Sequence, residues 1–239
     1  MAVADPFAAH PELRPLIRDA TDSKLRSLLA ETMDKDDATQ GPPDLKKRSF
    51  EAREASRRAT LASHAGDLWV FGYGSMMWDP AIDFVEVRRA WLPGHSRRFI
   101  LCDTYGARGT RDAPGLMAAL DRGDGCHGLA FRIPADRVEE ETRNLWAREM
   151  VLPSYVPHLL PVDLAGESVT ALVFLADHDA EMIQGDLTRA QQVHYLATGT
   201  GFLGSSREYL ETIARQFDAL AIEDPEVNAL MAEVRALAP

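Results

Sequence analysis

Read for its apolar and polar positions, the chain changes texture near residue 67. Before that point, SKLRSLLAETM at 23–33 and KKRSFEAREASRRATLASH at 46–64 have helical composition, with Leu25, Leu28 and Leu29 as a modest apolar stripe. The breaker-rich DATQGPPD at 37–44 lies between them. This predicts a helical N-terminal extension over residues 1–60 leaning on a main domain at 61–239, with partial disorder around 41–44. After residue 67, apolar runs at 68–71, 84–92, 97–103, 116–121, 126–133, 155–164 and 168–176 are divided by Gly, Pro and Asp, the pattern of strands joined by turns. Two joints, DRGDG at 121–125 and LAGES at 164–168, have the composition of hairpin turns. One helix is expected at 136–149, and three close the chain near 187–197, 206–220 and 225–237. Strands without regular intervening helices, followed by helices, predict an α+β domain rather than a doubly wound one.

Composition narrows the function classes. Of the 239 residues, 46% are apolar, enough for a sizeable core. The longest apolar stretches, such as ALVFLA at 171–176, are far short of the roughly 18 residues a membrane span needs, so no membrane insertion is expected. The start MAVADPFAAHPEL has no basic segment followed by an apolar one, and a cytoplasmic location is expected. Residues 1–60 balance 11 basic against 11 acidic side chains, whereas the remainder carries 15 against 26 and no lysine, so the whole net charge of −11 lies in the main domain. That argues against nucleic-acid binding, which draws on clustered Lys and Arg. Cys102 and Cys126 have no metal-ligand or disulfide-scaffold spacing and are expected as buried thiols. The seven histidines form no HxH or HExxH, so no metal site is expected.

Two glycine patterns invite a nucleotide reading and fail it. Gly199, Gly201 and Gly204 spell GxGxxG, but LTRAQQVHYLA before them is helical and no strand follows, so a helix C-cap and turn is the better reading. In FGYGSMMW at 71–78, Met77 stands where a third glycine would be and no Lys follows, which excludes a dinucleotide fingerprint and a P-loop; Ser75 is followed by Met76 and Met77, which excludes a GxSxG elbow. Gly72 and Gly74 nevertheless let the backbone approach a ligand, and successive N–H groups in such a turn can hold a carboxylate or a developing oxyanion. The alternative is a tight turn at a strand end.

A second irregularity lies in ADRVEEETRNLWAREM. Asp136 and Glu139 have capping-box spacing, and Val138, Thr142 and Leu145 then mark a core face whose next position is Glu149. A carboxylate on that face, near Trp146, Met150 and Val151, would be partly desolvated and its pKa raised above the usual ~4.3, toward the range of a general base. If the helix stops short of Glu149, the carboxylate is instead exposed or paired with an arginine.

Together with VFGYGSMMWDPA, GHSRRF at 94–99, RGTRDAPG at 108–115, CHGLAFRIP, LWAREM, VTALVFLAD, LTRAQ and GFLGSSREYL, these features resemble the ChaC family of γ-glutamylcyclotransferases, in order from about Leu68 to the C-terminus. The chain departs from the usual pattern at Met76, Asp79, His95 and in LPSY, which replaces a Gly-rich link before Tyr155. The resemblance implies a γ-glutamylcyclotransferase-like mixed β-barrel or sheet with surrounding helices. It also implies cofactor-free cleavage of glutathione to 5-oxoproline and cysteinylglycine. On that basis Glu149 is the general base, and the backbone of Tyr73, Gly74, Ser75, Met76 and Met77 grips the γ-glutamyl end. Tyr73 and Tyr155 either close the pocket or pack the core, and Arg98 and Arg108 either meet the glycyl carboxylate or pair with surface acids. Two other readings stand beside it: a cyclotransferase for other γ-glutamyl amino acids or amines, and a non-catalytic regulator of cation transport acting on a protein partner that the sequence leaves unknown.

Overall fold

The run LWVFG forms β1 (Leu68–Gly72), and every side chain in it but Trp69 is buried, as befits a strand with neighbours on both sides and packing on both faces. The computed structural model of the protein describes residues 5–32 and 46–237. Four more strands complete the main sheet: β2 (Glu86–Tyr105), β3 (Thr110–Ile133), β4 (Tyr155–Asp163) and β5 (Ser168–Ala176). They close into a barrel in the order β1-β3-β2-β4-β5. β1 runs antiparallel to β3, with Leu68 opposite Ile133, and parallel to β5, with Trp69 opposite Ala171. Phe71, Phe99, Phe131 and Phe174 are among the largest fully buried side chains of the core, which continues under the helices.

Two joints behave differently from each other. LAGES makes the expected hairpin between β4 and β5, with Leu164 N–H bonded to Glu167 O at 2.8 Å. DRGDG does not reverse the chain: the runs expected at 84–92 and 97–103 are one strand, β2, and those at 116–121 and 126–133 are one strand, β3. Pro93-Gly94 on β2 lies opposite Gly125 on β3, and the register slips between Pro93 and His95. Breaker residues facing one another across a ladder produce a bulge, not a turn. Gly125 is required there because a Cβ would stand 2.2 Å from the ring of Trp91. The true reversal is at residues 106–109, where Gly106 N–H meets Gly109 O at 2.8 Å and the Asp103 carboxylate accepts from the N–H groups of Arg108 and Gly109.

The helices pack on the barrel. In the N-terminal part α1 (Lys24–Thr32) and α2 (Phe50–Thr60) are formed, and of the α1 leucine stripe only Leu29 is buried. The expectation of disorder at 41–44 falls outside the described residues. The interrupting helix, α3 (Val138–Glu149), begins after Arg137 and has no side-chain cap. The expected box fails because Asp136 sits one residue too early and Glu139 is engaged by Arg57 of α2 at 2.8 and 2.9 Å. The closing helices are α4 (Arg189–Thr198), α5 (Ser206–Ala219) and α6 (Pro225–Leu237); the first two carry true capping boxes, Thr188 with Gln191 and Ser205 with Glu208. Gly199 caps the end of α4, and the remaining glycines of the GxGxxG string belong to a two-stranded turn of β6 (Thr200–Gly201) and β7 (Gly204–Ser205). Cys102 and Cys126 are both buried, and burial raises both thiol pKa values, Cys102 to about 11. Among the described residues no helix is long and apolar enough to cross a membrane, and no group of three or more His, Cys, Asp or Glu is placed to hold a metal ion.

Candidate functional site

The chain leaves β1 at Gly72 and makes a single 3-10 turn over Ser75–Met77, closed by Met77 N–H to Gly74 O at 2.8 Å. Ser75 and Met76 open that turn, so their N–H groups have no partner within it. Gly74 is a close-approach position: a Cβ there would fall 2.4 Å from the hydroxyl of Tyr209, on α5. Met77 is fully buried in the core below, and Tyr73 O is fixed by Nε of Arg97 at 2.7 Å.

Glu149, the last residue of α3, faces this turn. A recess of about 310 Å³, its open mouth included, is lined by Tyr73, Gly74, Ser75 and Met76 together with Glu149, Tyr155, Tyr209, Ala118 and Phe174. Glu149 is 15% exposed at its side chain, and Oε1 lies 2.7 Å from Nε of Arg148. Burial raises its pKa above the ordinary carboxylate value, against the opposing pull of the Arg148 charge and hydrogen bond. Tyr73 and Tyr155 both line the recess, and burial foremost, with the neighbouring Glu149 charge, raises the pKa of both and keeps them protonated. Tyr209 is likewise kept neutral by burial, and its oxygen accepts from Ala118 N–H at 3.3 Å. The site therefore offers one carboxylate of raised basicity, a Gly-x-Gly turn whose first amides are not used within it, and three neutral phenols in a largely enclosed recess.

Of the residues expected from sequence, Tyr73, Gly74, Ser75, Met76, Glu149 and Tyr155 come together around this recess. Arg98 does not: it pairs with Asp121 at 2.8 Å on the outside of the barrel and is half exposed. Arg108 stands one layer away, its guanidinium 5.0 Å from the centre of the Tyr209 ring and donating to Ser205 O at 3.0 Å; it makes no ion pair among the described residues. Sequence reasoning assigned no role to Tyr209 or to Arg148. Arg148 donates from NH2 to Ser75 Oγ at 2.8 Å and from NH1 to Asp79 O, so one guanidinium joins the turn to the Glu149 carboxylate. Both residues lie inside fragments that carried the family resemblance, REYL and LWAREM.

A closed mixed barrel with helices on its flank is the fold of solved γ-glutamyl cyclotransferases. A crystal structure of a yeast γ-glutamyl cyclotransferase specific to glutathione superposes with a TM-score of 0.65 at 22% identity, covering 72% of this chain and 96% of that one. The chain belongs to the ChaC family: the family described as ChaC-like protein matches residues 68–237. The glutathione-specific γ-glutamylcyclotransferase of Escherichia coli K12 is 40% identical over 193 residues, spanning 79% of this chain and 83% of its own. The Rattus norvegicus glutathione-specific γ-glutamylcyclotransferase 1 is 30% identical over 179 residues, 72% and 80% respectively.

Proposed function

We propose that this protein is a γ-glutamylcyclotransferase that cleaves glutathione to 5-oxoproline and cysteinylglycine. The observation that carries the reading is the largely buried Glu149 carboxylate sharing one recess with the Gly-x-Gly turn; the names of the relatives point the same way. The γ-glutamyl end of the substrate lies against the turn, with Tyr73 and Tyr155 closing on it. Glu149 takes a proton from the α-ammonium, and the freed amine attacks the γ-carbonyl of the same molecule. The five-membered ring closes, its nitrogen sheds a second proton, the amide C–N bond breaks, and both protons pass to the cysteinyl nitrogen, which departs as an ammonium. Nucleophile and electrophile are parts of one molecule, so holding the cyclising conformer supplies much of the acceleration. Arg108, a cation beside Tyr209 that makes no ion pair among the described residues, is the group best placed for the glycyl carboxylate. The enzyme works in the cytoplasm, where glutathione is abundant and reduced.

The test is mass spectrometry of the full chain incubated with reduced glutathione, without added metal or nucleotide, beside the Glu149→Gln variant and beside γ-glutamyl amino acids as rival substrates. Both products from the wild type alone, with glutathione turned over fastest, are expected. Activity retained in Glu149→Gln removes Glu149 as the base, and faster turnover of another γ-glutamyl compound reassigns the substrate.

A further inference from the structure

The N-terminal part of the chain lies outside the matched family region, yet three of its residues converge on the loop that follows the Gly-x-Gly turn. Arg18 donates from its backbone to Trp78 O at 2.8 Å and from NH1 to Asp79 Oδ2 at 2.6 Å. Ser23 Oγ, itself 1% exposed as a residue, donates to Asp79 Oδ1 at 2.7 Å. Arg26 donates to Ala81 O at 3.1 Å and holds the wholly buried carboxylate of Glu141, on α3, with NH1 and NH2 at 2.5 and 2.8 Å. Asp79 is the hinge of this arrangement: its side chain is held by the extension and its carbonyl holds Arg148, whose other two nitrogens hold Ser75 Oγ and Glu149.

We propose that Arg18, Ser23 and Arg26 are positioning residues of the active site, which set the Gly-x-Gly turn against Glu149 through Asp79 and Arg148. This inference rests on Glu149 being the base. The contacts form one continuous bridge from the extension to both halves of the site. Loss of the Asp79 anchors frees the carbonyl that orients Arg148, and a displaced Arg148 leaves the Glu149 carboxylate misaligned and less well paired. The titratable groups facing Glu149 are Arg148 on its own helix, Tyr73 after β1, Tyr155 at the start of β4 and Tyr209 on α5. The three phenols are neutral, so Arg148 is the one charge in the described surroundings whose displacement shifts the base.

The test compares, in the full chain, the double variant Arg18→Met/Ser23→Ala with Arg189→Met, which breaks ion pairs to Glu226 and Glu233 between α4 and α6 and serves as a stability control. Below the melting temperature of each, the double variant is expected to lose ~5–20-fold in kcat and to move the acid limb of kcat/KM upward by ~0.5 pH unit. Arg18→Lys is expected to restore much of the loss by itself, and Arg189→Met to change neither quantity. An unchanged limb and kcat in the double variant, or equal shifts in the control, overturn the proposal. If the double variant does not fold, Ser23→Ala alone, which keeps the Arg18 pair, is read by the same criteria. Glu149→Gln is run in parallel: full activity there removes the base and this inference together, whereas its inactivity beside unaffected Arg18 and Ser23 variants removes the positioning role alone.

Discussion

Replacing Gly74 by alanine places a methyl group 2.4 Å from the Tyr209 hydroxyl. Carbon and oxygen settle near 3.4 Å or beyond, so about 1 Å of movement is required. The phenol has little freedom to supply it. Tyr209 is 4% exposed, its ring meets Trp78 edge-on at 5.5 Å and carries the Arg108 guanidinium, and its oxygen accepts from Ala118 N–H. Overpacking of this kind costs roughly 1–3 kcal/mol, and a stretched hydrogen bond to Ala118 adds roughly 0.5–1.5 kcal/mol. A total of about 2–4 kcal/mol lowers the melting temperature of a chain this long by about 5–15 °C. Because the same displacement moves a wall of the recess by ~1 Å, kcat/KM is expected to fall on the order of 10²-fold. The decisive assay is a double-mutant cycle with Tyr209→Phe. Deleting the oxygen leaves Cζ as the nearest ring atom, 3.5 Å from the added carbon and in ordinary contact. Gly74→Ala should then cost at least ~1 kcal/mol less in the Tyr209→Phe background than in the wild type, measured by denaturant unfolding. Additivity within ~0.5 kcal/mol would refute the steric reasoning.

Two further outcomes follow from charges in the fold. Burial raises the Glu149 pKa above its unfolded value, so folding favours the protonated form. That stability is fully present below the unfolded pKa and lost as pH rises through the folded one. Glu149→Gln should accordingly match the wild type in thermal melts near pH 3.5 and exceed it at pH 7.5, while wild-type kcat/KM falls on an acid limb above the ordinary carboxylate value of ~4.3; a less stable Glu149→Gln at pH 7.5 contradicts this. Arg26→Met strands the buried Glu141 carboxylate and should cost about 3–5 kcal/mol, a fall of roughly 6–20 °C in melting temperature, and a change within ~2 °C would show that the carboxylate finds another partner.

The features legible in the sequence were those whose signal is local. The interruption of an apolar strand by Gly-Tyr-Gly-Ser, and the continuation of the 138, 142, 145 face to Glu149, needed only periodicity and residue chemistry. Where breaker residues from distant segments face each other, local reading fails: Pro93-Gly94 and DRGDG each look like a turn alone and become a bulge only when paired. Arg98 and Arg108 are equivalent as text, and only tertiary placement sends one to Asp121 outside the barrel and the other to Tyr209. The partners of Arg148 come from the turn after β1 as well as from its own helix, and the contacts of the extension with α3 join residues more than eighty positions apart. No sequence window contains such pairs.

The barrel closes unevenly. β1, β2 and β3 form one long ribbon, and β4 with β5 a separate hairpin, whereas the seams between these units are thin: Trp69 and Val70 against Ala171 and Leu172, Leu120 against Leu175, and Trp91 against Asp163. The recess lies across that division, with Tyr73 and Ala118 belonging to the ribbon side and Tyr155 and Phe174 to the hairpin. An occupant of the recess therefore bridges two units that the ladder joins only sparsely. By linkage, filling the recess stabilises the closed ring against opening along its seams, so occupancy and resistance to local unfolding rise together.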